Sequence, residues 1–127
     1  MQNSADSQKV VIIGENNVNK LRIKNRFSDT LLSIDDIYYI QTDKRKVRVY
    51  TEESDYWEYN SLKEILKKTD GNIYKCHSRL AINLDKVSSI DNSKVLLNNG
   101  QPIFLSRLYM QKLRRIWNSY LDNFCFE

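Results

Sequence analysis

YKCHSRLAINLDKVSSI, residues 74–90, is the stretch of this chain from which the fold is best inferred. Apolar side chains occupy alternate positions over residues 80–84, which is the period of a half-buried β-strand. The alternation resumes one position out of step at Val87. Residues 75–79, just before this strand, are mostly polar and include the only histidine of the chain. A polar segment at the end of a rigid strand is well placed to present side chains to a partner.

Upstream of this stretch, short apolar runs separated by polar residues predict further strands. Asp35 and Asp36 interrupt one of these runs, which predicts a bend or a short break there. Residues 42–46 are polar and basic between two strand-like runs, so we expect a hairpin loop. The predicted upstream strands cover residues 21–27, 31–34, 37–40, 47–51 and 56–59.

Two segments change to a helical period. Ser61 and Glu64 fit the capping box that opens a helix, and Gly71 is placed to end that helix after about two or three turns. Apolar residues at helical spacing over residues 108–121 predict a second helix, for which Ser106 is a suitable N-cap. The chain therefore combines short strands with one internal helix and one C-terminal helix.

Asn99 and Gly100 lie between two apolar runs, residues 95–97 and 103–105. An Asn-Gly pair in this position predicts a hairpin with a type I′ turn, since both central residues of that turn need positive φ. Pro102 has no backbone N–H to give to a neighbouring strand. We therefore expect the returning strand to lie at a sheet edge or to begin just after the proline.

The length and composition of the chain are those of one soluble globular domain. It has 127 residues, 41% hydrophobic and 28% charged, with a mean hydropathy of −0.60. No apolar run approaches the roughly 20 residues of a membrane span, and because residues 1–8 are polar throughout we expect no signal peptide there. We expect a cytoplasmic protein with no membrane contact. Residues 1–20 are predicted to be a linker or N-terminal extension, and residues 21–127 the folded domain.

Cysteine and histidine usage predicts neither a disulfide framework nor a metal site. Cys76 and Cys125 are the only cysteines, and the pair Cys76-His77 has no second pair at a zinc-site spacing. We expect no metal and no cofactor. Cys76 has no resolving cysteine nearby, so an inert thiol is favoured over a reactive thiolate.

Charge is segregated along the sequence rather than strongly unbalanced. The formal net charge is +4, with basic clusters in residues 44–48 and 107–115 and an acidic block in residues 52–58. Such a distribution can present a positive face to a polyanion and a negative face elsewhere.

Features of known catalytic sites are missing from the sequence. The acidic block has no identifiable convergent partners for acid–base or metal chemistry. The chain also has no phosphate-cradling glycine loop and no nucleophile elbow. We therefore predict that this protein is not an enzyme.

Several motifs, taken in order, resemble the LytTR DNA-binding domain of bacterial two-component response regulators, including virulence and quorum regulators of Gram-positive bacteria. The resemblance covers roughly residues 21–121. Its most specific part is Tyr74-x-Cys-His-x-x-Leu-Ala-Ile-Asn-Leu, which is similar to the family's aromatic, histidine, apolar pair and asparagine. The supporting motifs are the apolar run 37–40 before a polar loop, the capping box 61–64, and Asn99-Gly100 leading to residues 105–107.

This resemblance implies a mainly β fold, an elongated sandwich of antiparallel sheets with one short internal helix and a C-terminal helix. It also implies that double-stranded DNA is read by loops at strand ends rather than by a recognition helix. The DNA-facing loops would be residues 43–46, residues 77–79 and the corner 106–107. The order of Ser78 and Arg79 is the reverse of the usual one in the family, which leaves open which of them contacts a base. The candidate DNA-binding residues are Lys44, Arg45, Lys46, His77, Ser78, Arg79, Ser106 and Arg107.

The resemblance further implies an effector domain that regulates transcription. Its partners would be promoter DNA bound by pairs of protomers at repeats, an upstream receiver domain, a sensor kinase and RNA polymerase. Two alternatives remain open from the residues: a non-enzymatic protein-interaction module with a basic face, and a binder of RNA or single strands. A large ratio of specific to random duplex affinity is expected only for a promoter reader.

Individual site residues also have structural interpretations. Arg107 at a helix start can contact a guanine edge, and its structural interpretation is a solvated surface arginine or a member of an ion pair. His77 can contact DNA or satisfy a backbone carbonyl. Asn83 lies between apolar positions, so we expect a buried amide that supports a neighbouring loop.

Overall fold

A computed structural model describes residues 19–69 and 73–124, and this part of the chain contains ten strands and two α-helices. All paired strands are antiparallel. The mainly β fold with a short internal helix and a C-terminal helix is therefore confirmed. The elements are β1 (Lys20–Lys24), β2 (Asp29–Ser33), β3 (Ile37–Asp43), β4 (Lys46–Thr51), β5 (Asp55–Tyr59), α1 (Leu62–Leu66), β6 (Ile73–His77), β7 (Leu80–Asn83), β8 (Val87–Ile90), β9 (Lys94–Leu97), β10 (Pro102–Phe104) and α2 (Arg107–Asp122).

The strands form three sheets, and the largest has the order β5-β4-β3-β7-β6. A two-stranded sheet, β1-β2, and the helix α1 form a hydrophobic core with one face of this five-stranded sheet. A three-stranded sheet, β10-β9-β8, and α2 contribute to the core on the other face. Both faces of the five-stranded sheet therefore carry apolar residues, which explains why two separate hydrophobic clusters form.

Burial of β7 corrects one expectation from the sequence. Alternating residues predicted a half-buried strand, but all four residues of β7 are buried, including Ala81 at 0% and Asn83 at 2% exposure. The reason is that β7 lies inside the five-stranded sheet. Ala81 packs in the cluster with β1, β2 and α1, whereas Leu80 and Ile82 pack in the cluster with α2.

Short 3-10 helices interrupt two of the predicted apolar runs. One covers Ile34–Asp36, where the two aspartates predicted a break, and the other covers Leu84–Lys86, which accounts for the alternation resuming out of step at Val87. Asn83 connects these interruptions, since its Nδ2 donates to the carbonyl oxygen of Ile37 at 2.8 Å and its Oδ1 accepts from the backbone N–H of Asp85 at 3.0 Å. The predicted supporting role of this amide is confirmed.

The helix α1 is shorter than the predicted two or three turns. Ser61 Oγ accepts from the backbone N–H of Glu64 at 3.1 Å, as a capping box requires. The Glu64 carboxylate does not return the bond but accepts from Lys67 Nζ at 3.1 Å. Bonds from Lys68 N–H and Thr69 N–H to carbonyls three residues back tighten the chain after Leu66 and end the helix. Gly71, the predicted terminator, lies outside the described residues.

The turn at Asn99 and Gly100 is not type I′. Only Gly100 has a positive φ there, at 92°. Its N–H donates to the carbonyl oxygen of Leu97 at 2.9 Å, while Leu97 N–H donates to the carbonyl oxygen of Gln101 at 2.9 Å. This is a three-residue loop in which the glycine forms a bulge. The expected edge position of Pro102 is confirmed, because β10 is the outer strand of its sheet.

The predicted N-terminal extension falls almost entirely outside the described residues. Of residues 1–20, only Asn19 and Lys20 are described, and Lys20 is the first residue of β1. Cys125 is likewise outside the described part of the chain.

Candidate nucleic-acid interface

Two of the three predicted DNA-contacting loops lie side by side at one end of the five-stranded sheet. β3 pairs with both β4 and β7, so the β3–β4 connection is next to the connection that precedes β7. Gln41 pairs with Leu80 near this end. The backbone N–H of Thr42 then donates to the carbonyl oxygen of Arg79 at 2.9 Å, which joins the two connections directly.

The β3–β4 connection is a two-residue turn made of Lys44 and Arg45. Asp43 pairs with Lys46 across it, and Lys44 has φ of 60°, the only positive φ of a non-glycine residue in the described chain. Both turn side chains are exposed, and neither forms an ion pair with a described residue. The Asp43 carboxylate lies 3.4 Å from Arg48 Nη2. Neither of the two cations of this turn is therefore neutralised by a described carboxylate.

Lys46, the third basic residue predicted in this loop, is placed differently from the other two. Its Nζ lies 4.3 Å from the centroid of the Trp57 ring and 5.8 Å from that of the Tyr59 ring. A cation over an aromatic face is attracted by the ring's negative face. Lys46 is therefore directed along the sheet towards β5, whereas Lys44 and Arg45 form the tip of the turn.

His77 ends β6 next to an irregularity in the strand pairing between Lys75 and His77. Its Nδ1 accepts from the backbone N–H of Arg79 at 3.1 Å. Nδ1 is thus the unprotonated nitrogen of the neutral ring, which leaves Nε2–H as a donor. Burial, and then the charge of Arg79, lower the pKa of His77. The neutral form of the ring therefore prevails at neutral pH, and Nδ1 satisfies a backbone N–H rather than the expected carbonyl.

Ser78 and Arg79 form the connection between β6 and β7. Both are exposed, and no described residue receives a hydrogen bond or an ion pair from either side chain. The hydroxyl and the guanidinium are both available to an external partner.

The β10–α2 corner, the third predicted loop, is joined to the β6–β7 connection by an aromatic contact. The rings of His77 and Tyr109 have centroids 5.1 Å apart, which positions the first turn of α2 against the end of β6. Ser106 occupies the N-cap position, and its carbonyl oxygen accepts from Met110 N–H at 2.9 Å. Its hydroxyl makes no capping bond, contrary to the expectation for an N-cap serine. Arg107 is the exposed first residue of α2 and forms no described ion pair.

Sequence reasoning missed a fourth connection at this end, the β8–β9 turn of residues 91–93. Lys94 pairs with Phe104, which places this turn beside the corner that leads into α2. Arg114 Nη2 of α2 donates to the carbonyl oxygen of Asp91 at 2.7 Å. The Asp-Asn-Ser composition of residues 91–93 between two apolar runs is the turn signal that could have found it.

Cys76 is buried at 5% exposure, and burial raises the pKa of its thiol to about 12. A thiol with such a pKa is protonated at neutral pH, so it is a poor nucleophile and a poor metal ligand. This agrees with the inert thiol expected from the sequence. Among residues 19–69 and 73–124, no group of three or more histidine, cysteine or acidic side chains is arranged to hold a metal ion.

Acidic side chains collect at the opposite end of the five-stranded sheet. The β4–β5 turn holds Glu52 and Glu53, one strand length, about 20 Å, from the Lys44 tip. Asp36, Glu52 and Glu53 line one groove together with residues of β2. The Tyr38 hydroxyl donates to Glu52, which fixes that carboxylate in place and raises the pKa of the tyrosine. The described chain therefore has a basic end and an acidic end.

An antiparallel β domain with convergent basic turns at one end belongs to the class of domains that can present strand-end loops to a polyanion. The family model of the LytTr DNA-binding domain matches residues 28–118, and the chain is a member of that family. Members of this family bind DNA and regulate transcription.

Comparison with solved structures agrees with this assignment. The fold is similar to the LytTr DNA-binding domain of a protein from Bacillus cereus described as a methyl-accepting/DNA response regulator, with 18% sequence identity and a TM-score of 0.64. The match covers 76% of this chain and 94% of that one. No curated protein matches the sequence. Within the described residues, neither helix is long and apolar enough to cross a membrane.

Proposed function

We propose that this chain is the effector domain of a bacterial response regulator and binds promoter DNA sequence-specifically through the connections at its basic end. One observation carries the proposal. The bond from Thr42 N–H to the Arg79 carbonyl and the contact of His77 with Tyr109 hold three connections, far apart in sequence, at one end of the domain. These connections expose cations that no described carboxylate neutralises.

The side chains at this end divide into two groups by chemistry. Arg107 and Arg79 can each offer two parallel donors to a guanine edge, the commonest specific contact in the major groove. Lys44, Arg45 and Lys46 suit phosphate contacts, which add affinity without sequence preference. The hydroxyls of Ser78 and Ser106 are free to donate to phosphate oxygens or bases. His77 orients Arg79 through its Nδ1 and offers Nε2–H to DNA.

The rest of the regulator follows from this role. Residues 21–127 would act as one DNA-binding domain, and residues 1–20 would connect it to a receiver domain that a sensor kinase phosphorylates. Pairs of protomers would occupy repeated sites on one face of promoter DNA in the cytoplasm, where RNA polymerase is the downstream partner. Bending of the duplex can add specificity at base pairs that no side chain touches.

The experiment that tests this proposal is selection of bound sequences from a random duplex pool at near-physiological salt. We expect enrichment of a short motif, repeated at about two helical turns if two protomers bind together. Absence of enrichment, with weak binding that disappears as salt rises, would contradict promoter reading. It would favour a basic interaction surface for another partner.

Substitution of Arg107 separates base reading from charge. Arg107→Ala should weaken binding to the selected motif by about 1–3 kcal/mol and relax the base preference, with a smaller loss on random duplex. Arg115→Ala is the matched control, because Arg115 is exposed on the same helix and its substitution removes the same charge. An equal loss on both duplexes for Arg107→Ala would show that this residue contacts only phosphate.

A further inference from the structure

A polar groove lies between α2 and the β8–β9 turn, and Arg107 of the β10–α2 corner forms one part of its lining. Its volume is about 580 Å³ and its lining consists of Asn92, Arg107, Met110, Gln111 and Arg114. Two arginines and two residues with side-chain amides line this space, and none of the lining residues is acidic. The groove is therefore a cationic feature at the same end of the molecule as the predicted DNA contacts.

Local structure explains why these side chains meet. Arg107, Gln111 and Arg114 follow each other at four- and three-residue spacing, which places them on one flank of a helix. Arg114 Nη2 donates to the carbonyl oxygen of Asp91 at 2.7 Å and lies 3.4 Å from Asn92 Oδ1. These contacts hold the β8–β9 turn against the second turn of α2. The opposite wall of the groove is thereby fixed.

Asp91, the carboxylate of the β8–β9 turn, is occupied within that turn. Asp91 Oδ1 accepts from the backbone N–H groups of Ser93 and Lys94, and Asp91 Oδ2 lies 2.8 Å from Lys94 Nζ. These bonds lower the pKa of Asp91 and keep it ionised. Its charge is balanced by Lys94, so the positive charge of Arg107 and Arg114 remains available to a ligand.

We infer that this groove binds the DNA sugar-phosphate backbone next to the base contact of Arg107, as a fourth contact of the domain. The inference rests on the proposed function. Arginine and amide donors are the groups that hold phosphate oxygens, and charged donors make the stronger bonds. Arg107 belongs both to the base-contacting corner and to the groove, so a strand whose base meets Arg107 continues past Gln111 and Asn92.

Charge introduced at Gln111 tests the inference without disturbing the fold. Gln111 is exposed and makes no described hydrogen bond. Gln111→Glu should weaken binding to the selected motif and to random duplex alike, by roughly fivefold or more, because it repels phosphates in the groove. Gln111→Lys should strengthen both and steepen the dependence of log K on log salt by about 0.9.

Ser119→Glu is the matched control. It adds the same charge at an exposed position of α2, about 12 Å further along the helix axis, which exceeds the screening length of about 8 Å at physiological salt. We expect its affinity to stay within about twofold of the unchanged chain. Unfolding curves in urea check that each variant keeps the fold.

Each outcome has a distinct meaning. If the unchanged chain binds duplex but Gln111→Glu behaves like Ser119→Glu, the groove does not contact DNA, although the proposed function stands. A loss confined to the selected motif would also overturn the phosphate assignment, because it would place the effect on a base contact. If the unchanged chain binds no duplex, the proposed function fails and this inference fails with it.

Discussion

At the scale of single residues, Lys44 is held in a backbone conformation that L-residues rarely adopt. Its φ of 60° lies in the left-handed region, which costs a residue with a Cβ about 1–2 kcal/mol. A glycine would fit this turn better, yet the position carries a cation at the proposed DNA-facing tip. We infer that stability is reduced here in favour of charge, as occurs at functional sites.

Two substitutions separate the backbone cost at Lys44 from its charge. Lys44→Ala and Lys44→Gly both remove the cation, so both should weaken duplex binding by the same factor. Lys44→Gly should have a free energy of unfolding about 1 kcal/mol higher than Lys44→Ala, because only glycine relieves the left-handed conformation. Urea unfolding and duplex titration of the pair measure both effects. Equal stability of the two variants would show that the turn is not strained.

His77 makes the stability of the domain depend on pH in a defined direction. Burial lowers its pKa below the ordinary value of 6.5, so the unfolded chain binds the proton more readily. The stability that comes from keeping His77 neutral is fully present above the ordinary pKa. It is lost as the pH falls through the lowered pKa of the folded state. The free energy of unfolding should therefore fall between about pH 7 and pH 5. Because this is the only histidine, His77→Gln should make the free energy of unfolding nearly independent of pH in that interval. An unchanged dependence on pH would show that carboxylates cause it.

The sequence identified this histidine as a candidate but not its partners. The bond from Arg79 N–H to Nδ1 and the contact with Tyr109 both depend on an irregular pairing at the end of β6. Irregularities of this kind arise from packing between distant elements, and residue type at one position does not encode them. The same limit applies to Lys46, whose direction is set by Trp57 on a neighbouring strand.

At the scale of elements, Asn83 shows how one buried amide fixes the relation between two strands and their 3-10 helices. Its Nδ2 donates to the Ile37 carbonyl and its Oδ1 accepts from Asp85 N–H. Asn83→Ala leaves buried polar groups without these partners, so we expect a loss of about 1–3 kcal/mol in the free energy of unfolding. Urea denaturation measures it. Asn118→Ala, at an exposed position of α2, should change stability by less than about 0.5 kcal/mol.

Most elements were predictable because periodicity is local, whereas the polar strand β6, burial and turn geometry were not. The out-of-step alternation at Val87 reflects the 3-10 helix that separates β7 from β8, and the sequence did not show that these strands belong to different sheets. The burial of Ala81 could not be inferred, because the strands and α1 that cover it lie elsewhere in the sequence. Similarly, Asn-Gly fits two kinds of hairpin, and the bond from Leu97 N–H to Gln101 selected the three-residue loop.

At the scale of the whole molecule, the separation of charge matters more than the modest net charge of +4. The basic turns and the acidic β4–β5 turn are about 20 Å apart, more than twice the screening length of about 8 Å at physiological salt. A polyanion at the basic end is therefore largely insensitive to the acidic end. Sequence showed that the charges are clustered, but only the strand order placed the clusters at opposite ends.

Two double variants test whether position or net charge controls binding. Lys44→Gln with Arg45→Gln lowers the net charge by two units, and Glu52→Gln with Glu53→Gln raises it by two. If the basic turn contacts phosphates, the first pair should reduce the slope of log K against log salt by about 1.8, or about 0.9 for each lost contact. The second pair should leave the slope unchanged, because no phosphate reaches the acidic end. Titration on random duplex across a range of salt measures both effects. If the two pairs instead shift the affinity by equal amounts in opposite directions, net charge alone attracts DNA. The basic end would then not be the contact surface.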